Sequence, residues 1–371
     1  MTTTLLLGKD ALRALVLAVG LDRLMELSIE RVERLLHLRS GDAFDIPPRQ
    51  GFVDLSGQAS VMEWMPILRR GHHTLVKHVG YHPSNPAARG LPTILSSLSL
   101  FDESSGHLRT VCDGTLLTAI RTGAASAVAS RHLAAPDART LGLVGCGAQA
   151  VSQLHALSRV LPLDLVLYAD VDPAAQASFA ARADRFGVAL RPAPLAEIER
   201  RADVLCTVTS VAPHAGPVVA LDACRPWLHV NAVGSDLPGK TELPAGFLRA
   251  SLVVPDFTVQ ARREGESQQL EPGEIGPELH EIVAQPERWS AWRDRRTVFD
   301  STGYALEDLA VLEVVEGLAR EHGVGDEIEL ESLGADPHDP YAFLRLPAAV
   351  DAPALAPAAP LARSAALSRG A

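Results

Sequence analysis

The chain has 371 residues, 47% of them hydrophobic, and a formal net charge of −11. That length supplies a core for two domains of ordinary size, and the acidic balance argues against a nucleic-acid partner, which needs clustered Lys and Arg. The basic clusters are short (Arg69–Arg70, Arg262–Arg263, Arg293–Arg295–Arg296) and lie among acidic residues, as on a solvated surface.

No apolar run approaches the ~18 residues of a membrane span, so no membrane partner is expected. The N-terminus is interrupted by Lys9, Asp10 and Arg13 and does not read as a signal peptide. Cys112, Cys146, Cys206 and Cys224 have no paired metal spacing. They read as buried free thiols of a reducing cytoplasm, and no metal site is expected.

Positions 1–40 read as helical, with Leu12, Leu15, Val16 and Val19 at helical spacing and an amphipathic run from Met25 to Leu38. From Phe52 to about Leu116, short apolar runs alternate with turn signals at 80–86, Gly90, 102–106 and Asp113–Gly114. That texture predicts antiparallel hairpins. A helix rich in small residues is predicted over 115–134. Strand and helix then alternate: 141–144, 165–170, 204–210, 227–235 and 251–256 are apolar strand runs, with helical runs between several of them. This alternation predicts a Rossmann-type, doubly wound parallel sheet over 126–310. Residues 1–125 would form an α+β substrate and dimerisation domain, completed by 311–346. A long helix is predicted to about His322, a short strand at 327–333, and a disordered Ala/Pro-rich tail at 347–371.

Within the predicted parallel sheet, strand 141–144 runs into Gly145, Gly147 and Ala150 and then a helical run. This is a G-x-G-x-x-A turn in strand–turn–helix context. Gly145 allows the tight turn, and Gly147 lets backbone approach a pyrophosphate at the helix N-terminus. Asp170 ends the next strand, where a carboxylate takes both ribose hydroxyls and repels a 2′-phosphate. The spacing therefore favours NAD over NADP; the alternative is a glycine turn with no ligand.

Arg49, Lys77 and Arg121 stand in apolar surroundings. Each could be a surface or salt-bridged cation, and together they could hold a carboxylate. Asp236 follows a predicted strand, at the carboxyl edge where doubly wound sheets bind ligands. It is either an acid–base group or a loop aspartate capping the turn before Pro238–Gly239.

Longer segments carry a family resemblance. They include PPRQGF (47–52), MEWMP (62–66), LVKHVGYHPSNP (75–86), GLPTIL (90–95), the helix at 116–134 and the glycine turn with its helix at 145–163. DVLCTVTSV (203–211), HVNAVGSDLPGKTELP (229–244), REGESQQL (263–270), VFDSTGYALEDLA (298–310) and DPYAFL (339–344) complete the set. The chain resembles the ornithine cyclodeaminase/μ-crystallin family, and most closely its lysine cyclodeaminase branch. The resemblance spans about Leu5 to Leu344, and NAVGSDLPGKTEL and FDSTG are its most specific signatures.

The resemblance implies that Arg49, Lys77 and Arg121 hold a substrate carboxylate, that Asp236 is catalytic, that Glu63 lies by the substrate and that Glu264 reads the distal amine. Thr93, Thr122, Gly145, Gly147, Ala148, Gln149, Asp170, Thr209, Asn231, Val233 and Ser301 would surround the NAD. It implies a homodimer acting on a small basic amino acid, with Val61, Met62 and Leu91 flanking the pocket. The reaction implied is cyclising deamination: NAD⁺ takes the Cα hydride, the side-chain amine displaces ammonia, and the hydride returns. L-Lysine would give L-pipecolate and L-ornithine would give L-proline. One methylene separates the substrates, worth only about 1–3 kcal/mol of discrimination. A net amino-acid dehydrogenase or imine reductase and a non-enzymatic, crystallin-type binding protein are the competing readings.

Overall fold

A computed structural model describes residues 3–39, 41–54 and 60–345; the predicted tail at 347–371 lies outside the described residues. In chain order the first elements are β1 (Thr4–Leu7), α1 (Lys9–Val19), α2 (Leu21–Arg39), β2 (Phe44–Asp45), β3 (Gln50–Asp54), β4 (Ser60–Arg69), β5 (His73–Tyr81), α3 (Asn85–Arg89), β6 (Ile94–Asp102), β7 (Leu108–Asp113) and α4 (Gly114–Leu133). Next come β8 (Thr140–Val144), α5 (Ala148–Ser158), β9 (Leu165–Ala169), α6 (Pro173–Ala183), β10 (Ala189–Pro192), α7 (Leu195–Arg201), β11 (Val204–Thr207) and β12 (His229–Ala232). The remainder is α8 (Ala245–Arg249), β13 (Leu252–Pro255), α9 (Thr258–Glu264), α10 (Leu279–Ala284), α11 (Pro286–Trp289), β14 (Thr297–Asp300), α12 (Ala305–His322) and β15 (Asp326–Ile328). From Glu329 the chain forms a unit of its own, whose described part is irregular apart from a helical turn at Ala342–Arg345.

The strands form two sheets. The first runs β15-β1-β7-β6-β5-β4-β2, with β3 also paired to β4; β1 and β7 are parallel and its other pairs antiparallel. The second is wholly parallel, in the order β10-β9-β8-β11-β12-β14-β13. This is the doubly wound arrangement predicted, and β8 and β11 flank the point where the strand order reverses.

Two local expectations are corrected. The N-terminus opens on a strand rather than a helix: β1 begins on the β-branched Thr4, and its Leu5–Leu7 pair with Thr110–Cys112. The strand predicted at 327–333 is only Asp326–Ile328, because β1 offers it only Thr4, Leu5 and Leu6 as partners.

Helix α4 runs unbroken through position 125 and is buried on all sides. Its Ala124, Ala125, Ala127, Val128 and Ala129 are wholly buried, and it packs against α2, α5 and α12 and against strands of both sheets. Small side chains permit that all-round contact, so the helix holds the two sheets in fixed register. Helix α12 lies against α2, α4, β4 and β5, which carries its first turn to the inner face of the first sheet.

Candidate active site

The carboxyl ends of β8, β11, β12 and β14 line one edge of the parallel sheet. Gly145 follows β8 with φ +99, and a Cβ there would lie 2.9 Å from the Val208 carbonyl oxygen, so no L side chain is accommodated. Gly147 caps α5, and a Cβ on it would meet nothing within 4 Å. Ala148 and Gln149 open the helix, so their free N–H groups face open space at its positive end. Asp170 accepts from the Cys146 N–H at 2.6 Å and the Asp172 N–H at 2.8 Å, which fixes its carboxylate beside the turn. At the far side, Ser301 is buried and its Oγ has no hydrogen-bond partner among the described residues, although its N–H is held by the Ala232 carbonyl. The open glycine cradle and this orphaned buried hydroxyl fit a dinucleotide.

Other residues expected at the cofactor are already engaged. Thr122 donates to the Thr118 carbonyl within α4. Thr209 donates through its N–H and Oγ1 to Glu242, and Asn231 donates to Ser130 while its Oδ1 has no partner among the described residues. Val233 contributes backbone, its N–H bonding the Thr207 carbonyl, and Thr93 lies just before β6 with its carbonyl accepting from His82.

The second part of the site stands on the first sheet. Lys77 pairs with Met65 across β4–β5, and Glu63 is two residues along β4 from Met65. The pleat therefore puts Glu63 and Lys77 on one face. Met62 points to the other face and is 51% exposed, so it does not flank this site as expected. Lys77 is fully buried and donates to Asp308 at 2.7 Å. Arg121, on α4, donates to Glu307 at 2.6 Å and lies 3.5 Å from the same Asp308. Burial pushes Lys77 down to about 8, with Asp308 opposing the shift, and pushes Glu307 up to about 7 against the pull of Arg121. Gly303, at φ +76, makes room for Arg121: a Cβ would lie 2.0 Å from the guanidinium Nη1.

Arg49 is held differently. Its Nε donates to Glu264 at 2.5 Å, its Nη1 lies 3.7 Å from Glu63 and its Nη2 donates to the Asp236 carbonyl at 3.0 Å. Burial raises both Glu63 and Glu264, and Arg49 counters it in each. The structure thus joins Lys77 and Arg121 through Asp308, and Arg49 to Glu63, expected beside the substrate, and Glu264, expected to read its distal amine.

Asp236 lies in the loop after β12. That loop closes through the Lys240 N–H on the Leu237 carbonyl, and Gln268 grips it by accepting from the Gly239 N–H and donating to the Lys240 carbonyl. Lys240 is buried and donates to Asp236 Oδ1 at 2.8 Å, with its ammonium 5.1 Å from the centre of the Tyr81 ring. The Asp236 side chain remains about a quarter exposed.

Beneath the site, buried carboxylates tie the loops together. Glu242 accepts from Thr209 and Gly234, Glu266 from the N–H groups of Glu242 and Leu243, and Asp300 from Glu266 and Ser267. Asp256 accepts from Thr302 and Gly303. Burial pushes Asp300 up to about 6. The residues missed from sequence are these scaffold acids and Lys240, Tyr81, Glu307 and Asp308. Several lie inside the quoted signatures GKTEL and ALEDLA, but their partners do not.

L-Lysine cyclodeaminase of Streptomyces rapamycinicus is 42% identical over 344 residues, 92% of this chain and all of that protein. A solved lysine cyclodeaminase, described for its recognition of L-lysine, L-ornithine and L-2,4-diaminobutyric acid, superposes with a TM-score of 0.90 at 47% identity, covering 92% of this chain and all of that one. An archaeal alanine dehydrogenase dimer with bound NAD superposes at 0.79 with 30% identity, covering 89% of this chain and all of that one. The signature of the ornithine cyclodeaminase/mu-crystallin family matches residues 10–323, and the chain belongs to that family.

Proposed function

We propose that the protein is an NAD-dependent cyclodeaminase that converts L-lysine to L-pipecolate and ammonia, with L-ornithine, giving L-proline, as the shorter substrate. The observation that carries this reading is that the buried Lys77–Arg121 pair shares Asp308 while Arg49 draws together Glu63 of the first sheet, Glu264 of α9 and the Asp236 loop that follows β12 of the dinucleotide-type sheet. The similarity to lysine cyclodeaminases supports the choice of substrate.

The 145–149 turn, Asp170 and Ser301 would hold NAD, which when bound would supply reversible hydride acceptance at the substrate Cα. Lys77 and Arg121 fix the substrate carboxylate, exchanging part of their contact with Asp308 and Glu307 for it. Glu63 and Glu264, neutralised in part by Arg49, offer oxygens to the amines. Asp236 takes a proton from the α-ammonium, because only the neutral amine releases a hydride, and returns protons as ammonia leaves Cα. Atoms balance as lysine to pipecolate plus ammonia, with no net oxidation.

We assign the protein to the cytoplasm, where the free Cys112, Cys146, Cys206 and Cys224 stay reduced. A homodimer is placed on the outer face of the first sheet. The register aligns Phe52, Met62, Gly80 and Leu95 across four strands there, and the three side chains are exposed. Lysine labelled with ¹⁵N at the α-position tests the reaction: the proposal expects labelled ammonia and unlabelled pipecolate, and label retained in the ring contradicts it.

A further inference from the structure

Asp236 carries its reacting carboxylate on a loop rather than on a helix or strand, so something must hold the group. The main chain of its loop is fixed by Gln268, which bonds the Gly239 N–H at 2.6 Å and the Lys240 carbonyl at 2.9 Å, and by Ser235, which donates to the same carbonyl. Its carbonyl is held by Arg49. None of these contacts touches the carboxylate. The side-chain contact is Lys240, four residues on, brought back by the turn at Leu237. Lys240 is 1% exposed, its ammonium lies over the Tyr81 ring, and its ion-pair partner among the described residues is Asp236. The bond uses Oδ1; Oδ2 has no hydrogen-bond partner among the described residues.

We propose that Lys240, seated on Tyr81, is the positioning residue of the reaction: it anchors Oδ1 of Asp236 so that Oδ2 is presented to the substrate amines. This rests on the proton-transfer role proposed for Asp236. A buried ammonium is a point donor with little room to move, so it sets one carboxylate rotamer where a solvated loop aspartate would sample several. The Tyr81 ring adds cation–π attraction that holds the ammonium beside the carboxylate.

The test uses the full chain with NAD. Lys240→Met lowers kcat for ammonia release about 100-fold, the scale of a misplaced catalytic group, with KM for L-lysine and Kd for NAD nearly unchanged. Lys240→Gln, which keeps a donor, falls between. A raised KM at intact kcat overturns the proposal, since Lys240 would then be touching substrate. So does loss of NAD affinity and Tm in both variants in step with kcat, which marks a structural role. Crystal structures of wild type and Lys240→Met decide the matter whatever reaction is catalysed: the Asp236 carboxylate leaves its wild-type position in the variant, and an unmoved carboxylate overturns the role. Wild-type enzyme that releases no ammonia from lysine sinks the proposed function instead, and leaves the crystallographic comparison standing.

Discussion

The two sheets build their halves of the site by different means. At the carboxyl edge of the parallel sheet, recognition is made of backbone: a left-handed glycine, the free N–H groups of α5 and one carboxylate, Asp170, held by main-chain donors. On the first sheet it is made of buried charges, each paired with a residue far away in sequence: Arg49 with Glu264, Lys77 with Asp308, Arg121 with Glu307. A backbone cradle tolerates change beside it at little cost in stability. A buried ion pair couples binding to folding, because deleting one member strands its partner in a low dielectric. Changes on the parallel side should therefore alter affinity alone, and changes on the first sheet should alter affinity and stability together.

Asp236→Asn carries the largest expected effect: kcat falls by about 10³-fold or more while NAD affinity, measured by protein fluorescence, stays near wild type. Glu313 tests the stability side. It is buried in α12 and accepts from Arg31 at 2.5 Å, Arg69 at 2.6 Å and His73 at 2.8 Å, joining α2, β4 and β5. Burial opposes its charge, but these partners outweigh it and hold the carboxyl down at about 2. A depressed carboxyl contributes stability above its unfolded value near 4.5 that is lost as pH falls toward 2, here roughly 3 kcal/mol. Glu313→Gln should remove about that much in urea unfolding at pH 7 and flatten the acid limb of Tm against pH.

Lys77→Met should raise KM for lysine by about 10- to 100-fold, the worth of one charge-assisted contact, and lower Tm as well. Because burial brings Lys77 down to about 8, wild-type kcat/KM should fall above that pH as the cation is lost. Lys77→Arg should move that limb upward. On the parallel side, Asp170→Ser should weaken NAD by about 10-fold and narrow the preference over NADP, with Tm unchanged. A Tm loss there equal to that of Lys77→Met would erase the contrast between the sheets. Gly303→Ala should cost at least about 1–2 kcal/mol of stability in urea unfolding, from the positive φ and the displaced Arg121 guanidinium.

The contrast also explains what the sequence could reveal. The glycine turn, Asp170 and the β–α alternation are local patterns with fixed spacing, and the parallel sheet formed as expected around them. Lys77 was legible as a polar residue in an alternating strand, yet nothing in TLVKHVG points to Asp308, 231 residues away. Arg49 was visible as a cation after two prolines, but its engagement with Glu264 and Glu63 depends on how three distant segments converge. Lys240 lies within NAVGSDLPGKTEL, but only the closed turn shows that its ammonium faces Asp236 rather than solvent. Met62 was misplaced because its face follows from strand register, which the pattern SVMEWMP does not fix.

The central claim is that the hydride leaves and returns within one catalytic cycle. Ammonia and NADH followed together, with L-lysine in excess and NAD⁺ at catalytic concentration, test it most directly. The account predicts continuous ammonia release matched by pipecolate, with NADH never exceeding the enzyme concentration. Ammonia release that stops when NAD⁺ is exhausted, with NADH accumulating in equal amount, would contradict it and make the protein a dehydrogenase.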